Sequence, residues 1–209
     1  MTHVIEEGMP VWPEEPQPDI QETKSLGKDI CTVQKIQFSN HLGTHLDAPC
    51  HFIKDGVAIH QIPLETLIGK AIILDFTEKK RDNYITEEDL RDHMELTAPG
   101  ARVLIKTGWD KYFEPETFYE GFPCLTLDAA EFLASREIRL LGMDTPSPSP
   151  VDDPDEMIHK TLLGAGIILL EALKNLALIE QEECDLIVLP PPFKNFSGSP
   201  CRVVAVIEK

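Results

Sequence analysis

Three of the seven histidines fall within eleven positions, in the run HLGTHLDAPCH from His41 to His51, with Asp47 among them. Neutral imidazole nitrogen and carboxylate oxygen form a donor set for Zn²⁺, Mn²⁺ or Fe²⁺, and three protein ligands leave a coordination position open for water. An open position points to catalysis. His45 and Asp47 share one side of an extended segment, and Gly43 allows a tight bend that brings His41 beside them. On a straight helix His41 and His45 would point one way and Asp47 another, so a loop or strand end is expected. Pro49 stops any regular element there, and Cys50, crowded by Pro49 and His51, is left out of the ligand set.

These side chains need a scaffold. Apolar runs rich in β-branched residues predict strands at Ile30 to Phe38, Ala71 to Phe76, Arg102 to Lys106, Arg139 to Met143, Asp185 to Leu189 and Arg202 to Ile207. Thr86, ahead of three acids, predicts an N-capped helix reaching about Met94, and Thr126 to Ser135 predicts a second. The longest helix is expected from about Glu156 to Ile179. Helices scattered among strands imply a mixed α/β fold, a single layered domain with a central, mostly β sheet and flanking helices. Two proline-dense loops stand out: Met9 to Pro18, with four of the 17 prolines, and Thr145 to Asp155. Neither is long enough to link separate domains, so residues 1–209 read as one.

Composition narrows the partners. With 19 basic against 36 acidic residues the formal net charge is −17, which excludes a nucleic-acid footprint and disfavours an anionic membrane surface. The most apolar stretch, Leu162 to Ile179, is interrupted by Glu171, Lys174 and Asn175, so no membrane span is predicted. Five widely spaced cysteines without a C-x-x-C pair, and an acidic, proline-rich start, imply free thiols and a cytoplasmic protein.

The motif from His41 to His51 resembles the hallmark H-x-G-T-H-x-D-x-P-x-H of the metal-dependent cyclase-type hydrolases, which include bacterial kynurenine formamidase and isatin hydrolase. Every defining position is kept, and Phe52 also agrees. GMPVWP near the start, VLIKTGW from Val103 to Trp109, LGMDTPSPSP from Leu141 to Pro150 and the closing LPPPFKNFSGSPCRVVAV are similar to family segments. Lys106 departs from an expected Arg, and the proline-dense Thr145 to Pro150 is a second departure. The resemblance implies the cyclase-like swivelling β/β/α fold, a homodimer or homotetramer, and a place in tryptophan catabolism. It also implies that His159 and Glu171 complete the metal centre and that the MPVWP loop helps to cover the site. By residue type alone, Glu171 reads as the solvated face of a helix, three and four residues before Lys174 and Asn175. His159 follows Asp152, Asp153, Asp155 and Glu156 and reads as a solvated turn. His3, His60 and His93 have no comparable company, and Trp12 and Trp109 are pocket walls or core.

The expected chemistry is hydrolysis of a small-molecule amide, an N-formyl arylamine above all, by metal-activated water. One or two divalent ions, Zn or Mn, would be held by His41, His45 and Asp47, with Asp47 as the bridge and His159 and Glu171 completing a second position. His51 is the candidate general base and then acid, or alternatively a ligand of the second ion. Lys106, Arg102 and Lys194 are available to hold a substrate carboxylate. The same ligand set also suits a lactam hydrolase or a cyclase, and a non-catalytic metal-binding protein is the reading from another class.

Overall fold

The computed structural model describes residues 1–94 and 98–207. The first half of the chain forms β1 (Asp19–Lys24), β2 (Val33–Gln37), β3 (His45–Asp47), α1 (Leu64–Leu67), β4 (Ile68–Asp75), β5 (Tyr84–Ile85), α2 (Glu87–Met94) and β6 (Arg102–Lys106). The second half forms β7 (Cys124–Leu125), α3 (Leu127–Ser135), β8 (Leu140–Met143), α4 (Met157–Gly164), β9 (Ile168–Glu171), β10 (Glu183–Leu189), β11 (Gly198–Pro200) and β12 (Arg202–Val206).

Eight strands make one sheet in the order β11-β3-β9-β8-β6-β4-β10-β12. The four central strands, β9, β8, β6 and β4, run parallel, and the outer pairings are antiparallel. Parallel neighbours need crossovers, which α2, α3 and α4 provide between successive central strands. β11 and β12 are separated by Cys201 alone, yet they occupy opposite edges of the sheet. The sheet therefore curls until its edges approach, giving a nearly barrel-shaped body with few flanking helices.

Side chains of the central strands alternate between two cores, as the period of a strand requires. Leu104, Leu140 and Leu170 join Leu46, Leu186 and Val203 in one apolar cluster. Val103, Ile105, Leu141 and Leu169 join Leu90, Leu133 and Leu162 of the helices in the other. Burial on both faces explains why these strands read as unbroken apolar runs. The helix starts follow their sequence signals. Thr126 Oγ1 accepts from Ala129 N, while Thr86 and Asp89 cap each other, with Thr86 N donating to Asp89 Oδ2 at 2.8 Å.

Two expectations fail. The predicted helix from Glu156 to Ile179 ends at Gly164. Gly166 turns the chain with φ +82, which no helix continues, and Ile168 to Glu171 form β9. Apolar side chains on every side of Ile167 to Leu170 suit a strand covered on both faces as well as they suit a buried helix, so periodicity misleads there. The run from Ile30 to Phe38 yields only β2, which pairs with β1 in a separate, largely exposed ribbon and is no part of the main sheet.

Candidate metal centre

The centre is built where β3 lies between β11 and β9. In that register His45 faces Glu171, and Asp47 faces Leu169 on one side and Gly198 on the other. Leu46 points into the apolar cluster of the sheet, so His45 and Asp47 project from the opposite side of β3. Gly43, at φ +56, makes the bend before the strand, and a β-carbon there would meet Met9 Cε at 2.9 Å. Pro49 ends β3 and opens a short 3₁₀ turn that carries His51.

These elements bring together all six side chains expected of the site. His41 Nδ1 lies 2.6 Å from Asp47 Oδ1, and its Nε2 lies 3.2 Å from Ser197 Oγ. His45 Nδ1 donates to the Gly43 carbonyl at 2.8 Å, which leaves Nε2 facing Asp47 Oδ1 at 3.3 Å and Glu171 Oε2 at 3.5 Å. His51 stacks on His41 with ring centres 4.0 Å apart, and its Nε2 is 4.0 Å from Asp47 Oδ2. His159 reaches in from α4, its Nε2 3.5 Å from Glu171 Oε1. Ligand atoms of His41, Asp47 and His51 lie within 4.8 Å of one another, as do those of His45, Asp47 and Glu171. Asp47 is common to both sets.

The electrostatics call for a cation. Asp47 and Glu171 are 1% and 4% exposed, and Glu171 Oε1 has no hydrogen-bond partner. Burial works against the charge of Asp47, yet the adjoining His41 and His45 hold its carboxyl well below the usual range. Burial and the Asp47 charge push Glu171 up. Burial also opposes charge on His45 and His159, but Asp47 and Glu171 raise the first to about 9, and Glu156 and Glu171 raise the second to about 10. Two buried carboxylates thus draw protons onto neighbouring imidazoles. A divalent ion would meet the same demand with the imidazoles neutral, so the donor set fits the metal that the sequence implies. His51 differs: burial lowers it to about 4, leaving a neutral ring at pH 7.

The cluster forms one wall of a cavity of about 260 Å³, close to the small end of the roughly 300–1,000 Å³ typical of ligand sites. Trp12, Phe52, Tyr119 and Pro146 supply its apolar surface, and Trp12 meets Tyr119 edge to face at 5.5 Å. Trp12 is therefore a wall, and the MPVWP loop does border the site. Trp109 is core, buried beside Phe118 and Phe122. The basic residues proposed to hold a carboxylate stand elsewhere. Arg102 is spent on the carbonyls of Glu65, Thr66, Ile68 and Lys70, Lys106 bonds Ile179 O and Asp75, and Lys194 is exposed. Among the described residues no Lys or Arg lines the cavity, whereas Glu15 and Glu156 do.

His3, given no role by the sequence, is a buried ring stacked on Phe113 at 3.5 Å. His60 and His93 are exposed. Glu171 is not on a solvated helix face; it ends a buried strand, where its cross-strand partner is His45. Sequence reasoning missed Tyr119, Ser197, Gly198 and Glu156. Of these, only Ser197 and Gly198 lie in a segment marked by resemblance, the closing FSGSP.

The Cyclase family model ("Putative cyclase") matches residues 1–150. Over 175 residues the chain is 35% identical to the kynurenine formamidase of Bacillus cereus, covering 82% of this chain and 78% of that protein. Among solved structures, isatin hydrolase A from Labrenzia aggregata, bound to benzyl benzoate, superposes with a TM-score of 0.89 at 27% identity, covering 99% of this chain and 92% of that one. A structure from Bacillus stearothermophilus, described as a predicted metal-dependent hydrolase, gives 0.82 at 30% identity over 98% and 95% of the two chains. The residues matched by the family model include the whole histidine motif, and the chain belongs to the cyclase family.

Proposed function

We propose that this chain is a metal-dependent hydrolase of small aromatic amides and that its reaction is that of an arylformamidase. The observation that carries this reading is the cluster of four imidazoles and two buried carboxylates on the wall of an aromatic cavity, in a chain 35% identical to a kynurenine formamidase. His41, His45 and Asp47 would hold one divalent ion, Zn or Mn, and Asp47, His159 and Glu171 a second. When bound, such an ion supplies an acidified water and a Lewis acid for the amide carbonyl.

The remaining work falls to the protein. Trp12, Phe52 and Tyr119 hold the aromatic ring. His51, which lines the cavity with its Nε2 4.0 Å from Asp47 Oδ2, takes the proton of the attacking water and returns it to the leaving arylamine nitrogen. Water adds to the carbonyl carbon, the C–N bond breaks, and formate and the arylamine leave. Strands from distant parts of the sequence build the site, which supports one domain over residues 1–209. Exposed apolar side chains on the β1–β2 ribbon and its tip, Leu26, Ile30, Val33 and Ile36, support a homodimer or homotetramer. Five unpaired thiols suit the cytoplasm, and an N-formylkynurenine substrate would place the enzyme in tryptophan catabolism.

A second reading, lactam hydrolysis, is favoured by the likeness to isatin hydrolase A. Steady-state turnover of N-formylkynurenine and of isatin by the purified protein separates the two. A kcat/KM at least tenfold higher for the formamide supports the proposal; the reverse order replaces it with the lactamase.

A further inference from the structure

The two nitrogens of His159 face different partners. Nε2 looks toward Glu171, whereas Nδ1 is 2.8 Å from Glu156 Oε2 and 3.0 Å from Ser149 Oγ. Glu156 is placed oddly for any structural purpose. It occupies the N-cap position of α4, where a side chain ordinarily accepts from the first turn of the helix, yet it makes no capping hydrogen bond. Its backbone sits at φ +50, ψ 38, in the left-handed region that favours glycine. The chain thus accepts an unfavourable backbone and forgoes a cap, while the carboxylate turns to the His159 ring instead. Strain kept at such a position points to function.

We propose that Glu156 is a positioning residue: it accepts the Nδ1–H of His159, fixes that tautomer and aims Nε2 at the ion. The proposal rests on the reading of His159 as a ligand given above. Carboxylates that hold a ligating imidazole in this way orient the ring and raise its basicity, and losing one weakens metal binding by about 10–100-fold.

The test uses chelator-stripped full-length protein, Zn²⁺ as the probe, and competition against a chromogenic chelator. Side-chain ¹⁵N NMR of the Zn²⁺-loaded protein reports the tautomer. His159→Ala should weaken or remove one binding event. Glu156→Ala should weaken the same event about 10–100-fold and lose the uniform Nδ1–H signature of His159. Glu156→Gln, which keeps a carbonyl oxygen for the Nδ1–H, should stay within a few-fold of the parent and retain that signature. Glu156→Gly should bind as weakly as the alanine variant while the stripped protein keeps or raises its Tm, a combination that a merely structural residue would not give. If His159→Ala weakens binding but Glu156→Ala leaves affinity and tautomer unchanged, the positioning role is overturned. If His159→Ala leaves every binding event intact, the ligand assignment falls and the positioning role with it.

Discussion

Gly198 offers a sharp probe of how tightly the centre is packed. It pairs with Asp47 across β11 and β3, and a β-carbon built there would lie 2.4 Å from His41 Cε1, 2.7 Å from Nδ1 and 2.8 Å from Nε2. Ordinary contact between carbon atoms is about 3.5–4.0 Å, so Gly198→Ala must drive the His41 ring back by roughly 1 Å. The ring has little freedom to retreat: Asp47 holds Nδ1 at 2.6 Å, and His51 is stacked on it at 4.0 Å. The backbone at Gly198 is not in the left-handed region, so alanine itself causes no strain there and the effect is steric. Overpacking of this kind costs about 1–3 kcal/mol, or roughly 2–12 °C in Tm for a chain of this size. A misplacement of about 1 Å in a reacting constellation costs about 10²-fold in rate. Gly164→Ala is the control, because its β-carbon would meet only Ile53 Cδ1, at an ordinary 3.6 Å. Formamide turnover, bound metal and thermal unfolding of the two variants decide the matter. Full activity and full metal content in Gly198→Ala would refute the packing argument.

His51→Ala and Asp47→Ala divide the labour of the motif: the first should lose about 10²–10⁴-fold in kcat while keeping bound metal, and the second should lose metal and turnover together. Metal analysis alongside kinetics reads both, and parental activity in both would remove the site assignment. His3 supplies a pH prediction. Burial and the nearby Lys174 and N-terminal ammonium lower it to about 4, below its ordinary 6.5. Between those values the unfolded chain binds the extra proton, so stability is lost as pH falls from about 6.5 through 4, by about 3 kcal/mol in full. His3→Phe, which keeps a ring against Phe113, should flatten that part of the stability curve in denaturant titrations at several pH values. An unchanged slope would show that His3 titrates normally.

The legibility of the site follows from the range of the interactions that build it. The run from His41 to His51 was readable because its geometry is local: strand alternation places His45 and Asp47 together, and the positive φ of Gly43 turns His41 toward them. Glu171 depends on the register of β9 against β3, more than a hundred residues apart, and His159 on the placement of α4 beside Glu171; no local period encodes either. For the same reason Glu171 read as a solvated helix residue. The chain after Gly164 could be sorted into strand only by its neighbours in the sheet. Five of the six predicted strands stand in the main sheet: β6 and β8, buried on both faces, leave a continuous apolar signature, while β10 and β12 bury alternate residues within runs rich in β-branched side chains. β3 and β11, of three residues each, are too short to leave such a signature, and the apolar run of β9 suits a buried helix equally well. Glu156 was hidden by its company, since a carboxylate in an acidic run looks solvated until the imidazole beside it is seen.

On this reading the carboxylate-imidazole cluster needs a divalent ion to hydrolyse an aryl formamide. The deciding experiment strips the purified protein with a chelator and reloads it separately with Zn²⁺ and Mn²⁺, following N-formylkynurenine at each stage. Turnover should vanish on stripping and return with at least one ion. Turnover that survives complete stripping, or that no ion restores although both bind, would contradict the account.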